Sequence, residues 1–184
     1  MSPTRYPELR TARLILQPLA HADADAIQQV FPRWEIVRYM TSDIPWPYPP
    51  GAAAAYLREH ALPAISRGEE WHWTIRLKSN PAHLIGMVSL MDLPNENRGF
   101  WLAPDFQGRG LMTEAAEAAT GYWFDVLGRD LLRAPKAVAN EPSRKISQRF
   151  GMRVVATEER DFVSGRLPTE IWEITRNEWR TRSG

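Results

Sequence analysis

From Trp71 onward apolar and polar residues alternate singly, with Trp71, Trp73, Ile75 and Leu77 on one side and His72, Thr74 and Arg76 on the other. That is the period of a half-buried strand. Residues 78–81 turn the chain, and the apolar run 84–91 returns as a second strand, predicting an antiparallel hairpin. Residues 93–98 turn again into a third apolar strand, Gly99, Phe100, Trp101 and Leu102. The period then changes. Met112, Ala116, Ala119, Trp123 and Val126 recur at steps of three and four, predicting a long helix with one buried face and Gly128 as its C-cap.

The flanks read in the same way. Residues 13–19 form a strand, and Asp23 and Asp25 open a helix with Ile27, Val30 and Phe31 inward. Residues 34–50, dense in proline and aromatic rings, predict a loop, because proline denies the backbone donors that a helix or inner strand needs. Its Trp46 and Tyr48 either line a ligand site or cover the edge of the core. Residues 52–66 predict a helix with Tyr56, Leu57, Ala61 and Ile65 inward, kinked or cut short by Pro63. Residues 131–139 form a strand weakened by Pro135, and a short helix follows with Pro142 in its first turn. Residues 153–163 and 169–176 are two further strands joined through Gly165. With no repeat or linker, residues 1–184 are expected to be one domain.

Composition narrows the function. Lys and Arg number 23 against 22 Asp and Glu, so no net field favours nucleic acid or a membrane surface as partner. The absence of cysteine removes disulfides, zinc–thiolate sites and a cysteine nucleophile. His21, His60, His72 and His83 have no metal-ligand spacing, so no metal is expected. No apolar run approaches the roughly 20 residues of a membrane span. Residues 1–7 lack the apolar region of a secretion signal, so a cytoplasmic location is expected.

Between the third strand and the long helix lie Gln107, Gly108, Arg109, Gly110, Leu111 and Met112. Glycines at a strand-to-helix junction aim several backbone N–H groups at one point with the helix dipole behind them, a setting suited to phosphate. No Gly-Lys-Ser/Thr follows, which excludes a Walker loop, and the dinucleotide Gly-x-Gly-x-x-Gly is absent. The loop resembles the acyl-CoA pyrophosphate loop of the GNAT acetyltransferases, with Gln107 and Gly110 matching and Met112 replacing a small last residue. The segment Leu9, Arg10, Thr11, Ala12, Arg13, Leu14, Ile15, Leu16 is similar to the entry of the GNAT branch containing the ribosomal-protein N-terminal alanine and serine acetyltransferases, although Gln17 stands where that branch commonly has Arg. Asn140, Ser143 and then Phe150-Gly151-Met152 resemble a further motif of the same branch.

The resemblance implies an α+β GNAT fold: a mixed, mostly antiparallel central sheet, flanked by helices and splayed open at the acyl-CoA site. It implies direct acetyl transfer from acetyl-CoA, a co-substrate, to a primary amine on a protein N-terminus or a small molecule. The backbone N–H of Leu102 would stabilise the oxyanion, residues Gln107 to Met112 would hold the pyrophosphate, and Asn140 would bond the pantetheine arm. Ser143 would stand by the leaving sulfur. Many relatives place a Glu base where this chain has Asn97, and others a Tyr where it has Ser147. Neither residue present is a base, so the base is left open between Glu96, Asp92 and a water relay. The same departures support a second reading, a non-catalytic acyl-CoA-binding sensor or subunit. A homodimer is a family-level expectation.

Overall fold

The computed structural model describes residues 6–182. Five strands form one antiparallel sheet in the order β1 (Leu9–Arg10), β2 (Leu14–Pro18), β3 (Glu70–Leu77), β4 (Asn80–Met91) and β5 (Arg98–Leu102). Three form a second: β6 (Leu131–Ala137), β8 (Gly165–Thr175) and β7 (Arg153–Phe162), with β8 central. The hairpin predicted from the alternation is present, pairing Trp71 with Leu90 and Trp73 with Val88. Strand β3 is not half-exposed, however. His72, Thr74 and Arg76 are buried with the apolar set, because helices cover both faces of this central strand. Arg76 survives there by pairing with Asp23 at 2.7 Å and donating to the carbonyls of Pro81 and Ala82.

One layer of helices comprises α1 (Ala24–Val30), α2 (Trp34–Val37), α3 (Ala52–Tyr56) and α4 (Leu62–Arg67). Helix α2 departs from the predicted loop: the prolines begin only at Pro45, so nothing prevents a turn of helix before them. Between α3 and α4 the residues Leu57–Ala61 form a wider π turn, one turn ahead of Pro63. The wider turn accommodates the proline's missing donor. Leu57, Ala61 and Ile65 are buried as predicted, but Tyr56 is 42% exposed.

Helix α5 (Leu111–Gly121) carries the predicted inner face, with Met112, Ala116 and Ala119 buried, and passes into a second π turn, Tyr122–Val126. That turn advances the helical phase, so Trp123 remains inside while Val126 is 64% exposed. Pro135 is tolerated in β6 because β6 is the edge strand of its sheet. Helix α6 (Glu141–Arg149) leads into β7, and α7 (Arg176–Thr181) closes the described chain. Helix α7 was not expected. Its signal was Thr175-x-x-Glu178, a reciprocal capping box whose bonds are formed, with Trp179 buried against Phe124 and Phe150.

Candidate active site

The two sheets meet at a fork. Asn97, one residue before β5, donates its N–H to Arg133 O on β6 at 2.7 Å and accepts Arg133 N–H on Oδ1 at 2.8 Å. Its amide nitrogen bonds the carbonyls of Met91 (3.1 Å) and Leu93 (2.8 Å), so the whole side chain is spent on clamping β4, β5 and β6 together. Three residues along each strand, Lys136 reaches the ring of Phe100, so β5 and β6 leave the clamp in the same direction. They form no ladder and belong to different sheets. The splayed opening implied by the resemblance is thus present.

The open arm of the fork is β5. Ala103 donates to Ile85 O at 2.8 Å, and Met87 pairs with Trp101. Alternation in an antiparallel pair therefore turns the N–H and C=O of Leu102 away from β4 and into the fork. Gln107 Nε2 takes the Leu102 carbonyl at 2.8 Å, which fixes the loop to the strand end and leaves the Leu102 N–H facing the opening. Gly86 stands opposite Leu102 because a Cβ there would collide with the Trp101 carbonyl.

Beyond a short 3-10 turn, Pro104–Phe106, Gly108 and Gly110 both adopt φ +75°. This left-handed geometry costs other residues about 1–2 kcal/mol. Gly110 is the N-cap of α5, and the first helical bond is Glu114 N–H to Gly110 O. The N–H groups of Leu111, Met112 and Thr113 are therefore left without an intrahelical acceptor. Arg13 on the neighbouring segment braces this turn: its Nη1 donates to Arg109 O at 3.0 Å and its Nε to Glu114 at 2.8 Å. Burial opposes the Glu114 charge, but Thr11, the Arg13 N–H and the Arg13 guanidinium hold its carboxyl below the usual range. Arg109 folds back on the loop, donating to Asp105 O and lying over Phe106.

Across the opening stands α6. Ser143 is buried on its inner face, and the side chain of Asn140, its N-cap, forms no cap bond. Arg144 is held by two bonds to Glu170 on β8, which raises its pKa and commits it to the sheet. On the other face of β5, Phe31 packs edge-on against both Trp101 and Tyr48 with centroids 5.2 Å apart. Tyr48 thus covers the core edge, whereas Trp46 is 41% exposed beside Trp34. This aromatic wall flanks the strand end on the face away from α5.

The residues weighed as bases are each held by an arginine. Glu96 pairs with Arg160 on β7 at 3.3 Å, and Asp92 with Arg129 at 2.8 Å. Ser147 is fully buried with its hydroxyl unpartnered. A group not singled out from the sequence is the chain Ser89–His72–Glu70, with His72 Nδ1 2.7 Å from Ser89 Oγ and Nε2 2.6 Å from Glu70. Ser89 is directly opposite Gly99 of β5. Only the strand register brings these residues together, so their separation in the chain hid them.

A strand splayed from its neighbour, its free N–H facing the gap, and a glycine-capped helix at its mouth form the arrangement that the resemblance implied for an acyl-CoA site. Residues 13–153 match the model of the acetyltransferase (GNAT) domain, and the chain belongs to that family of acyltransferase enzymes, whose members use acetyl-CoA. It is 38% identical over 72 residues to YdaF of Bacillus subtilis (strain 168), named provisionally as a ribosomal N-acetyltransferase; that match covers 37% of this chain and 39% of YdaF. It is 26% identical over 159 residues to the uncharacterized N-acetyltransferase YoaA of the same organism, covering 79% of this chain and 82% of YoaA. Among solved structures, the ribosomal-protein-S5-alanine acetyltransferase of Vibrio fischeri superposes with TM-score 0.80 at 15% identity, over 95% of this chain and 99% of that one. The coenzyme A complex of RimL, a ribosomal L7/L12 α-N-protein acetyltransferase, superposes with TM-score 0.78 at 14% identity, over 92% and 98%. Among the described residues no helix is long and apolar enough to cross a membrane.

Proposed function

We propose that the protein transfers an acetyl group directly from acetyl-CoA to a primary amine, with a protein N-terminus as the favoured acceptor and a small-molecule amine as the other. The observation that carries this reading is the Leu102 N–H turned into the fork, next to the glycine-capped start of α5. The N–H groups of the segment Gly108 to Met112 would cradle the pyrophosphate, with Gln107 holding the loop on β5 and Arg109 adding charge. The pantetheine arm would run between β5 and α6, bonded by Asn140. Leu102 N–H would stabilise the oxyanion as the amine attacks, which is commonly the largest electrostatic contribution to such a reaction. Ser143 would assist the departing sulfur.

The acceptor would approach from the aromatic side of β5 and lose its proton through water, with Glu96 as the final base and the Ser89–His72–Glu70 chain as the alternative carrier. The likeness to YdaF supports a peptide acceptor. We place the reaction in the cytoplasm, and a homodimer is its expected assembly. The decisive experiment is CoA release from acetyl-CoA across a panel of N-terminal peptides and small amines. An acceptor-dependent rate is expected. CoA binding without turnover on the whole panel would favour a non-catalytic acyl-CoA sensor instead.

A further inference from the structure

Among the described residues, the interior at the closed half of the fork contains two basic side chains and no acid to match them. Arg98 is 1% exposed. Its Nη1 donates to Thr120 at 2.8 Å and its Nη2 to Met152 Sδ, a weak acceptor, at 3.5 Å, while Nε has no partner. Lys136 is 6% exposed, with Nζ 4.2 Å from the centre of the Phe100 ring. The Arg98 guanidinium lies 5.9 Å from that ring and 5.2 Å from Phe150. Burial lowers the pKa of Arg98 to about 10, and burial together with Arg98 lowers that of Lys136 well below the usual lysine value. No acidic group figures among the influences on either. Cation–π contacts offset only part of the cost of burying such charges. Buried charges are ordinarily paired or relieved by a pKa shift, and among the described residues no acid pairs with either group.

The position of the pair says which anion fits. Gly110, Leu102, Phe100 and Arg98 follow in order from the mouth of the fork to its clamp, so the cations lie beyond the expected thioester position on the side away from the pyrophosphate loop. An acyl chain extending from Leu102 toward the clamp meets Phe100 after two residues, about 6.6 Å at roughly 3.3 Å per residue. A four- or five-carbon chain with one charge-assisted hydrogen bond spans that length. We infer that the fork binds acyl-CoA donors whose acyl chain ends in a carboxylate, with succinyl-CoA as the representative, and seats that carboxylate between Lys136 and Arg98. The inference rests on the acyl-CoA reading of the fork. The transfer keeps its usual balance: the amine nitrogen bonds the thioester carbon, the C–S bond breaks, and CoA leaves as the thiolate. The thiolate takes up one proton, the amine gives up one, and the distal carboxylate is unchanged.

The test compares CoA, acetyl-CoA and succinyl-CoA by calorimetric Kd and melting temperature, on the wild-type chain and on Lys136→Met and Lys136→Gln. Two variants are used so that one failing to fold leaves the other to decide. The wild type is expected to bind succinyl-CoA at least tenfold more tightly than acetyl-CoA, and the variants to bring that ratio close to one. The unliganded Lys136→Met protein should also melt higher than wild type, since a buried, unpaired amine gives way to an apolar side chain of similar size. Equal or weaker binding of succinyl-CoA, with CoA still bound, overturns the inference and leaves the acyl-CoA reading standing. A wild-type preference that persists in both variants overturns it as well. No binding of any of the three overturns both.

Discussion

At its open end the fork is made of backbone: the Leu102 N–H, the donors after Gly110, and a glutamine side chain that ties one to the other. At its closed end it is made of side chains: the Asn97 amide gripping three strands, and the Arg98 and Lys136 cations around Phe100. On the proposed reading, backbone donors would serve any ligand with a pyrophosphate and a thioester carbonyl, so the open end would set the class of reaction. Side chains can distinguish one acyl or acceptor group from another, so on the inference above the closed end would set specificity. The two ends should therefore fail in different ways.

The largest effect is expected at the open end. Gly110→Leu places a branched side chain at φ +75° in the path proposed for the pyrophosphate. A Cβ there meets only Arg13 Nη2 at 3.5 Å, so the fold should survive with about 1–2 kcal/mol of strain. CoA affinity should fall more than about 100-fold, as expected when an anion loses its cradle of charge-assisted donors. Gly108→Ala is the control. It carries the same φ with nothing within 4 Å, and equal loss of affinity in both variants would mean that strain, not occlusion, is responsible.

Next comes the proton. Glu96→Gln should lower kcat by about 100-fold with little change in the KM for acetyl-CoA, the scale of a lost general base. An unaltered rate in Glu96→Gln, together with a comparable fall in His72→Gln, would move the role to the Ser89–His72–Glu70 chain. A pH–rate profile on both variants separates these cases, because the acid limb disappears only in the variant that lacks the base.

At the clamp the effect should appear in stability. Asn97→Ala leaves two carbonyls and the Arg133 N–H without their side-chain partner. At about 1 kcal/mol net per hydrogen bond, the loss is about 2–3 kcal/mol. That corresponds to a fall of roughly 5–10 °C in Tm for a chain of this size. Asn97→Glu, which supplies the carboxylate many relatives have, should not gain activity, since a longer, charged side chain cannot make the same three bonds. A rate increase in Asn97→Glu would show that the clamp is dispensable.

Much of this asymmetry was legible in the chain. The alternation at Trp71 to Leu77, the period of α5 and the Gly108–Gly110 loop are local signals, and the strands, the helix and the phosphate-type turn lie where they indicate. Other features depend on what packs against a residue. The burial of His72 and Arg76 follows from helices on the second face of β3, which the alternation cannot report. The clamp was not legible, because Asn97 finds Arg133, 36 residues away, only after β6 returns beside β5. Tyr56 and Val126 face outward since each adjoins or lies in a π turn, which shifts the phase that a 3.6-residue period assumes. Helix α7 had a local signal, the capping box at Thr175 and Glu178, that was read as the end of a strand.

The smallest predicted effect returns to the open end and concerns the brace rather than the cradle. Glu114→Gln keeps the shape of the side chain but weakens its bonds to Thr11, the Arg13 N–H and the Arg13 guanidinium. Much of the pair is in contact with solvent, so screening limits the loss to about 1 kcal/mol. The sign with pH follows from the carboxyl's depressed pKa. A carboxyl with a folded-state pKa below its unfolded value contributes stability that is complete above the unfolded value, and it loses this as pH falls through the folded one. The gap in Tm between wild type and Glu114→Gln should therefore be full at pH 7 and close as the pH drops below about 4. CoA affinity should fall only a few-fold, because the N–H groups of α5 remain in place when their brace loosens. A gap that persists unchanged to pH 3 would mean that the contacts are steric. The first turn of α5 would then be held by packing of Leu111 and Met112 against the sheet, both of which are buried.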